Sequence, residues 1–242
     1  MSEAASIPKP PGTGSGSVPA LFLGFDTSIY PGDAALRIWR EQSPYCWVGY
    51  YLPSPCHRDA SWKGTRPRLV AMGYGIAPVY VGRQAQGPGS RTPPTRTLGV
   101  TDGRDAVKKC SAEGFPPLSA LYLDVEYMDA VPDTMKQYAR AWCGQVLAGG
   151  YAPGIYCHVK NAVALREALA AGYPGGKPEP VFWVSGNTKA FSGDRRPADS
   201  GVPFARLWQG RLDVEERYGD QRLRIDVNVG DGPDPSAIQI PQ

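Results

Sequence analysis

The chain has 242 residues, 42% of them hydrophobic and 20% charged, with a formal net charge of +3. That length buries a full core and fits one large α/β domain or two small ones. So small a charge, with no stretch that concentrates Lys and Arg, argues against a nucleic-acid partner, and no run approaches the roughly 18 apolar residues of a membrane-spanning helix.

Taken in chain order, Met1 to Ala20 has neither the basic start nor the apolar centre of a secretion signal. Ile7 to Pro19 is rich in Pro, Gly and Ser and reads as a flexible leader over residues 1–20. From residue 21 onward, short β-prone runs alternate with helix-length segments. The predicted strands are Leu21 to Asp26, Cys46 to Leu52, Ile76 to Gly82, Ala120 to Glu126, Pro153 to His158, Val181 to Gly186, Phe204 to Gln209 and Leu223 to Asn228. The predicted helices are Asp33 to Gln42, Ala60 to Met72, Val100 to Glu113, Pro132 to Leu147 and Asn161 to Ala170.

Repeated βα units of this kind predict an α/β fold, a (β/α)8 TIM-type barrel over residues 21–232, with a C-terminal tail over 233–242. Later connections are rich in Gly and Pro, so the sixth to eighth helices are expected to be short or missing. An open doubly wound sheet is the competitor, but no glycine-rich nucleotide loop follows the first strand. The Gly- and Pro-rich loop from Gly82 to Pro94 reads as part of a cleft wall.

The five cysteines, Cys46, Cys56, Cys110, Cys143 and Cys157, form no CxxC pair, and His57 and His158 make no ligand motif with them. Neither a metal nor a cofactor is expected. Cys46 and Cys56 are close enough in sequence to leave a disulfide open; buried free thiols suit the rest. His158 suits a cleft-lining role and a structural one equally.

The segment Leu121-Tyr122-Leu123-Asp124-Val125-Glu126 carries the strongest chemical signal. Side chains alternate along a strand, so Tyr122, Asp124 and Glu126 share one face. Like charges brought together raise each other's pKa, which suits acid-base work. A strand running out into solvent at Asp124 would read the same way. At a barrel mouth, however, strand ends converge, and Asp26 closes the first strand with the same inward parity. In Leu223 to Asn228, Arg224, Asp226 and Asn228 share the inward face. Singly, Asp26 also suits a turn before Thr27-Ser28, and Asp226 an ion pair with Arg224; jointly, four carboxylates on three strands point to a site. Tyr50 and Tyr51, Tyr80, Tyr156, Trp183 and Trp208 line the same region, and about half are expected to be packing only. Acids at a floor with flat rings on the walls suit a sugar.

In order, Gly24-Phe25-Asp26, Ala71-Met72-Gly73-Tyr74 before Pro78-Val79-Tyr80-Val81-Gly82, Leu123-Asp124-Val125-Glu126, Gly149-Gly150-Tyr151 before Gly154-Ile155-Tyr156, and Trp208-Gln209 then Ile225-Asp226-Val227-Asn228 resemble one family. It is the glycoside-hydrolase-like domain family designated domain of unknown function 1906, related in fold to the family 25 lysozymes. The resemblance runs through nearly all of the globular part. It implies an acidic cleft like that of peptidoglycan muramidases, with Glu126 as general acid, Asp124 as its partner, and Asp26 and Asp226 as the first- and last-strand aspartates. Substrate contacts are expected from Tyr50, Tyr80, Tyr156, Trp183, Trp208, Gln209 and Asn228, with a polysaccharide or peptidoglycan partner and a monomer; the resemblance adds action outside the cytoplasm, although no export signal is visible in the chain.

Cα atoms at i and i+2 of a strand lie roughly 6.6 Å apart, so rotamers bring the two carboxyl groups into the range of paired-carboxylate glycosidases. Glu126 is expected to hold a proton near neutrality and Asp124 to stay ionised, orienting an N-acetyl carbonyl that serves as internal nucleophile. The leading expectation is therefore a lysozyme-type hydrolase of an N-acetylated glycan. The alternative is a non-catalytic carbohydrate-binding or surface-interaction module on the same barrel.

Overall fold

The computed structural model describes residues 21–87, 89–170 and 179–237; the leader predicted over residues 1–20 and the end of the tail lie outside them. Eight strands close a barrel in sequence order: β1 (Phe22–Asp26), β2 (Trp47–Leu52), β3 (Gly75–Val81), β4 (Ala120–Val125), β5 (Ala152–His158), β6 (Val181–Ser185), β7 (Ala205–Tyr218) and β8 (Gln221–Gly230). The helices α1 (Asp33–Gln42), α2 (Arg66–Ala71), α3 (Arg96–Ala112), α4 (Asp133–Ala148) and α5 (Val159–Ala170) form the crossovers up to β6.

Two helix starts moved for local reasons. Gly64, at φ +73°, breaks the chain before α2, and Pro67 suits that helix's first turn. α3 begins before Val100 because the Thr95 hydroxyl accepts from the Leu98 N–H at 3.2 Å, an N-cap ahead of the predicted start.

After β6, among the described residues, only the 3-10 turn Pro197–Ser200 stands where a helix would. The eight parallel strands expected of a (β/α)8 barrel need one correction. β8 runs antiparallel to both β7 and β1, because β7 turns directly into it at Gly219-Asp220; a tight hairpin joins antiparallel strands only. Register shifts between Gln209 and Val214 bend this hairpin away from the barrel. Its tip folds back over α1, where Tyr218 meets Trp39 edge-on with ring centroids 4.9 Å apart. Tyr45 donates to Glu216 at 2.8 Å beside it. The hairpin thus covers apolar surface that a late helix would cover in a regular barrel.

Inside, Trp47, Tyr122 and Trp183 pack with Ala77, Val79, Ala120 and Leu207. Gly24 gives Trp47 its space, since a Cβ there would lie 2.1 Å from the indole. Large and small inward residues alternate between strands, as a filled barrel requires. The floor is closed by the segment after β8: the Asp234 carboxylate accepts from the Ile76 N–H at 3.0 Å, and the Ser236 carbonyl from the Ala120 N–H at 2.8 Å. Tyr122 donates to the Pro235 carbonyl at 2.7 Å. Polar side chains at the other ends of the strands therefore face an open mouth above a sealed core.

Candidate active site

Asp26, the last residue of β1, is 3% exposed. It fits because its neighbour on β2 is Gly49, where a Cβ would lie 2.6 Å from the Asp26 Cβ. Tyr51 donates to its Oδ1 at 2.7 Å, and Gln209 and Asn228 both donate to its Oδ2 at 2.8 Å. Burial pushes the Asp26 pKa up, and these three donors pull against it by favouring the charged form.

Asp124 lies on β4 with the same inward parity and is 6% exposed. Among the described residues its Oδ1 has no hydrogen-bond partner. Burial, then the charges of Glu126 and Asp26, hold its pKa well above the ordinary carboxylate range. The upward shift expected of Glu126 is thus found at Asp124 as well.

Glu126 follows the end of β4 and is exposed at the mouth. Although open to the cleft, its carboxyl sits in a concavity that displaces much of its water, and this, with the charge of Asp226, raises its pKa. Its backbone is held by Gln84, a buried residue of the loop after β3. The Gln84 Oε1 accepts from the Glu126 N–H at 2.9 Å, while its Nε2 donates to the carbonyls of Gly82 at 2.9 Å and Asp124 at 3.2 Å. One side-chain amide thus clamps the backbone on both sides of Val125.

Asp226 is half-buried on β8, and burial followed by the Asp26 charge raises its pKa to about 7. Its Oδ1 accepts from the Asp213 N–H at 2.5 Å and its Oδ2 from Gln209 at 3.3 Å. The ion pair with Arg224 considered from sequence does not form inside the barrel, because the bent hairpin turns Arg224 outward onto Asp213.

Tyr156 donates to Gln209 Oε1 at 2.6 Å, and Trp183 Nε1 to Asn228 Oδ1 at 2.9 Å. Gln209 and Asn228 thereby have fixed amide orientations, each aiming its N–H group at Asp26. A small cavity of about 80 Å³ opens among Tyr51, Asp124, Glu126, Tyr156, Trp183 and Asp226. It has room for the edge of one sugar ring at the floor of the mouth.

The fold brings together Asp26, Asp124, Glu126, Asp226, Tyr156, Trp183, Gln209 and Asn228. It places Tyr50, Tyr80 and Trp208 elsewhere, in the layer between barrel and helices. Tyr50 packs on Trp62 and Phe115 and donates to Glu113; Tyr80 donates to Asp105 at 2.9 Å; and Trp208 donates to the Gly186 carbonyl at 2.8 Å against Phe191. These three residues do not reach the cavity, because their parity on β2, β3 and β7 is outward. Tyr51, adjacent to Tyr50, is the inward aromatic of β2, held against His57 with ring centroids 5.2 Å apart.

His158 packs against Tyr127 at 5.0 Å on the opposite rim. Cys46 and Cys56 are free thiols. They lie beyond opposite ends of the six-residue β2, roughly 20 Å of extended chain, too far for a disulfide. No described helix is long and apolar enough to cross a membrane.

A closed α/β barrel with an acid-lined mouth is the architecture of a glycoside-hydrolase-like protein. A family model described as "Rv2525c-like, glycoside hydrolase-like domain" matches residues 37–230, and the chain belongs to that family. No curated protein matches the sequence. Among solved structures, the barrel is similar to an uncharacterized B. stearothermophilus protein (TM-score 0.63, 18% identity, 86% of this chain and 95% of that one). It is also similar to the Clostridium perfringens spore cortex lytic enzyme SleM (TM-score 0.59, 13% identity, 89% and 69%). A third similar structure is the modular autolysin LytC from Streptococcus pneumoniae (TM-score 0.54, 13% identity, 86% and 46%). At these identities the likeness concerns the fold.

Proposed function

We propose that the protein is a lysozyme-type glycoside hydrolase acting on peptidoglycan or a related N-acetylated glycan. One observation carries the reading: Asp26, Asp124, Glu126 and Asp226 meet at one mouth, and each has a raised pKa. Four carboxyl groups so placed titrate together and hold their protons to higher pH than ordinary carboxyls. Glu126, the most accessible of them, holds a proton for the leaving glycosidic oxygen. Asp124 accepts the N–H of a bound acetamido group, whose carbonyl oxygen bonds to the anomeric carbon as the bond to the glycosidic oxygen breaks and that oxygen takes the Glu126 proton. Tyr156 and Trp183 supply flat, partly apolar walls against the sugar ring.

The cell-wall lytic character of SleM and LytC supports this choice of substrate over other glycans. The test is release of reducing ends from purified peptidoglycan and from chito-oligosaccharides between pH 4 and 8. A protein that binds these glycans and releases nothing is a carbohydrate-binding module on the same barrel.

A further inference from the structure

Beside the acidic mouth lies a second, larger cavity of about 460 Å³ between the loops after β2 and β3, lined by Pro55, Cys56, Arg58, Arg83, Gly89 and Arg91 among others. Its chemistry is opposite to that of the mouth. Arg58 and Arg91 are exposed and make no hydrogen bond or ion pair among the described residues. Arg83 is committed to Asp102 through Nε at 2.9 Å and Nη2 at 3.4 Å, which leaves its Nη1 unengaged among the described residues. The two loops are tied across the cavity by the Cys56 thiol, which donates to the Gly89 carbonyl at 3.7 Å. The cavity is also joined to the acid pair. Arg83 precedes Gln84, whose side chain fixes the backbone of Glu126, and Arg58 follows His57, which packs on Tyr51.

The two unpaired arginine forks of Arg58 and Arg91, with the remaining Nη1 of Arg83, around a concavity of this size match oxyanions, which arginines bind by paired, charge-assisted hydrogen bonds. A neutral glycan offers such a pocket hydroxyl and carbonyl acceptors without the opposite charge, and the four acids next to it would repel an anion placed at the mouth itself. We infer that the pocket binds an oxyanion substituent, a carboxylate or a phosphate, carried by the glycan whose backbone lies across the acidic mouth. The inference rests on the hydrolase reading for its location beside a bound glycan, though not for the anion site itself. It makes the protein selective for acidic wall polymers over plain chitin-like chains: sugar backbone on the acids, charged branch on the arginines.

Calorimetric titration of the full chain with N-acetylmuramyl dipeptide, glycerol 3-phosphate and chitotetraose tests this directly. One of the two anionic probes is expected to bind, which distinguishes a peptide carboxylate from a polymer phosphate. In Arg58→Ala/Arg91→Ala that affinity is expected to fall about tenfold, and in the wild type to weaken with added salt. Both side chains are exposed, and an unchanged thermal midpoint verifies that the variant folds; Arg58→Lys/Arg91→Lys is expected to recover part of the loss. Absence of binding by either anion, or equal binding in wild type and the Ala variant, overturns the pocket. Because binding is read separately from the reducing-end assay, anion binding without glycan cleavage sinks the hydrolase reading alone, and cleavage with charge-blind binding sinks the pocket alone.

Discussion

Asp26 and Asp226 are direct partners across the antiparallel β1–β8 pair, and one side-chain amide serves both. Gln209 Nε2 donates to Asp26 Oδ2 at 2.8 Å and to Asp226 Oδ2 at 3.3 Å. Two carboxylates facing each other and sharing one amide between them resist ionising together. Burial first, and then this Asp26 charge, raise the pKa of the half-buried Asp226 to about 7, and the Asp226 charge in turn acts on Glu126.

That link has a pH signature. The Asp226 charge raises the Glu126 pKa, so Asp226→Asn is expected to lower it. Glu126 would then lose its proton at lower pH, and the alkaline limb of the rate profile for reducing-end release would move to the acid side. A profile whose alkaline limb stays in place argues against Glu126 as the acid that Asp226 tunes.

Removing the acid without changing its size is the plainest test of role. Glu126→Gln is expected to cut reducing-end release about 10²- to 10⁴-fold, with the circular dichroism spectrum and thermal midpoint close to wild type, because the side chain is exposed and its backbone N–H still reaches Gln84.

Stability follows the same acids with opposite consequence. Asp124 and Asp226 keep their protons in the folded state to higher pH than in the unfolded chain, so the native protein binds more protons above about pH 4. Their contribution favours folding at the acid end and declines as pH rises towards 7 and beyond. Asp124→Asn is expected to raise the thermal midpoint at pH 7, by roughly 2–4 °C per kcal/mol relieved, and to flatten the decline, which calorimetry across pH 4 to 8 measures.

Gln84 holds the backbone of both acids from the loop after β3. Gln84→Leu leaves the Asp124 carbonyl and Glu126 N–H without their partner, costing about 1–3 kcal/mol of stability. A displacement of about 1 Å at a catalytic group is worth about 10² in rate. The expected outcome is a lower kcat with KM little changed, a split that simple loss of folded protein does not produce.

Neighbouring tyrosines on β2 separate site from scaffold. Tyr51→Phe removes a donor that helps Asp26 ionise and is expected to reduce glycan cleavage. Tyr50→Phe loses its bond to Glu113 and is expected to cost about 1 kcal/mol in denaturant unfolding with cleavage retained.

The four acids were legible in the sequence because a strand's period of two fixes which residues share a face, and strand ends fix where that face opens. The choice between Tyr50 and Tyr51 was not, since both are aromatic. It is settled by Gly49, whose missing side chain marks the inward face only once it is known to lie against Asp26. Gln84 gave no pattern at all, because it acts from a loop through backbone atoms of residues 40 and 42 positions away. The reversal of β8 was hidden for a different reason: alternation in Leu223 to Asn228 reads identically in either direction.

That reversed strand also decides where the barrel begins and finishes. Phe22 and Gly230 are opposite one another at the sealed floor, so the barrel begins and finishes on the side away from the acids, with β8 making the return that a final helix would otherwise make. Among the described residues the acid-bearing mouth is therefore free of both barrel ends, which lie on the closed face beneath it.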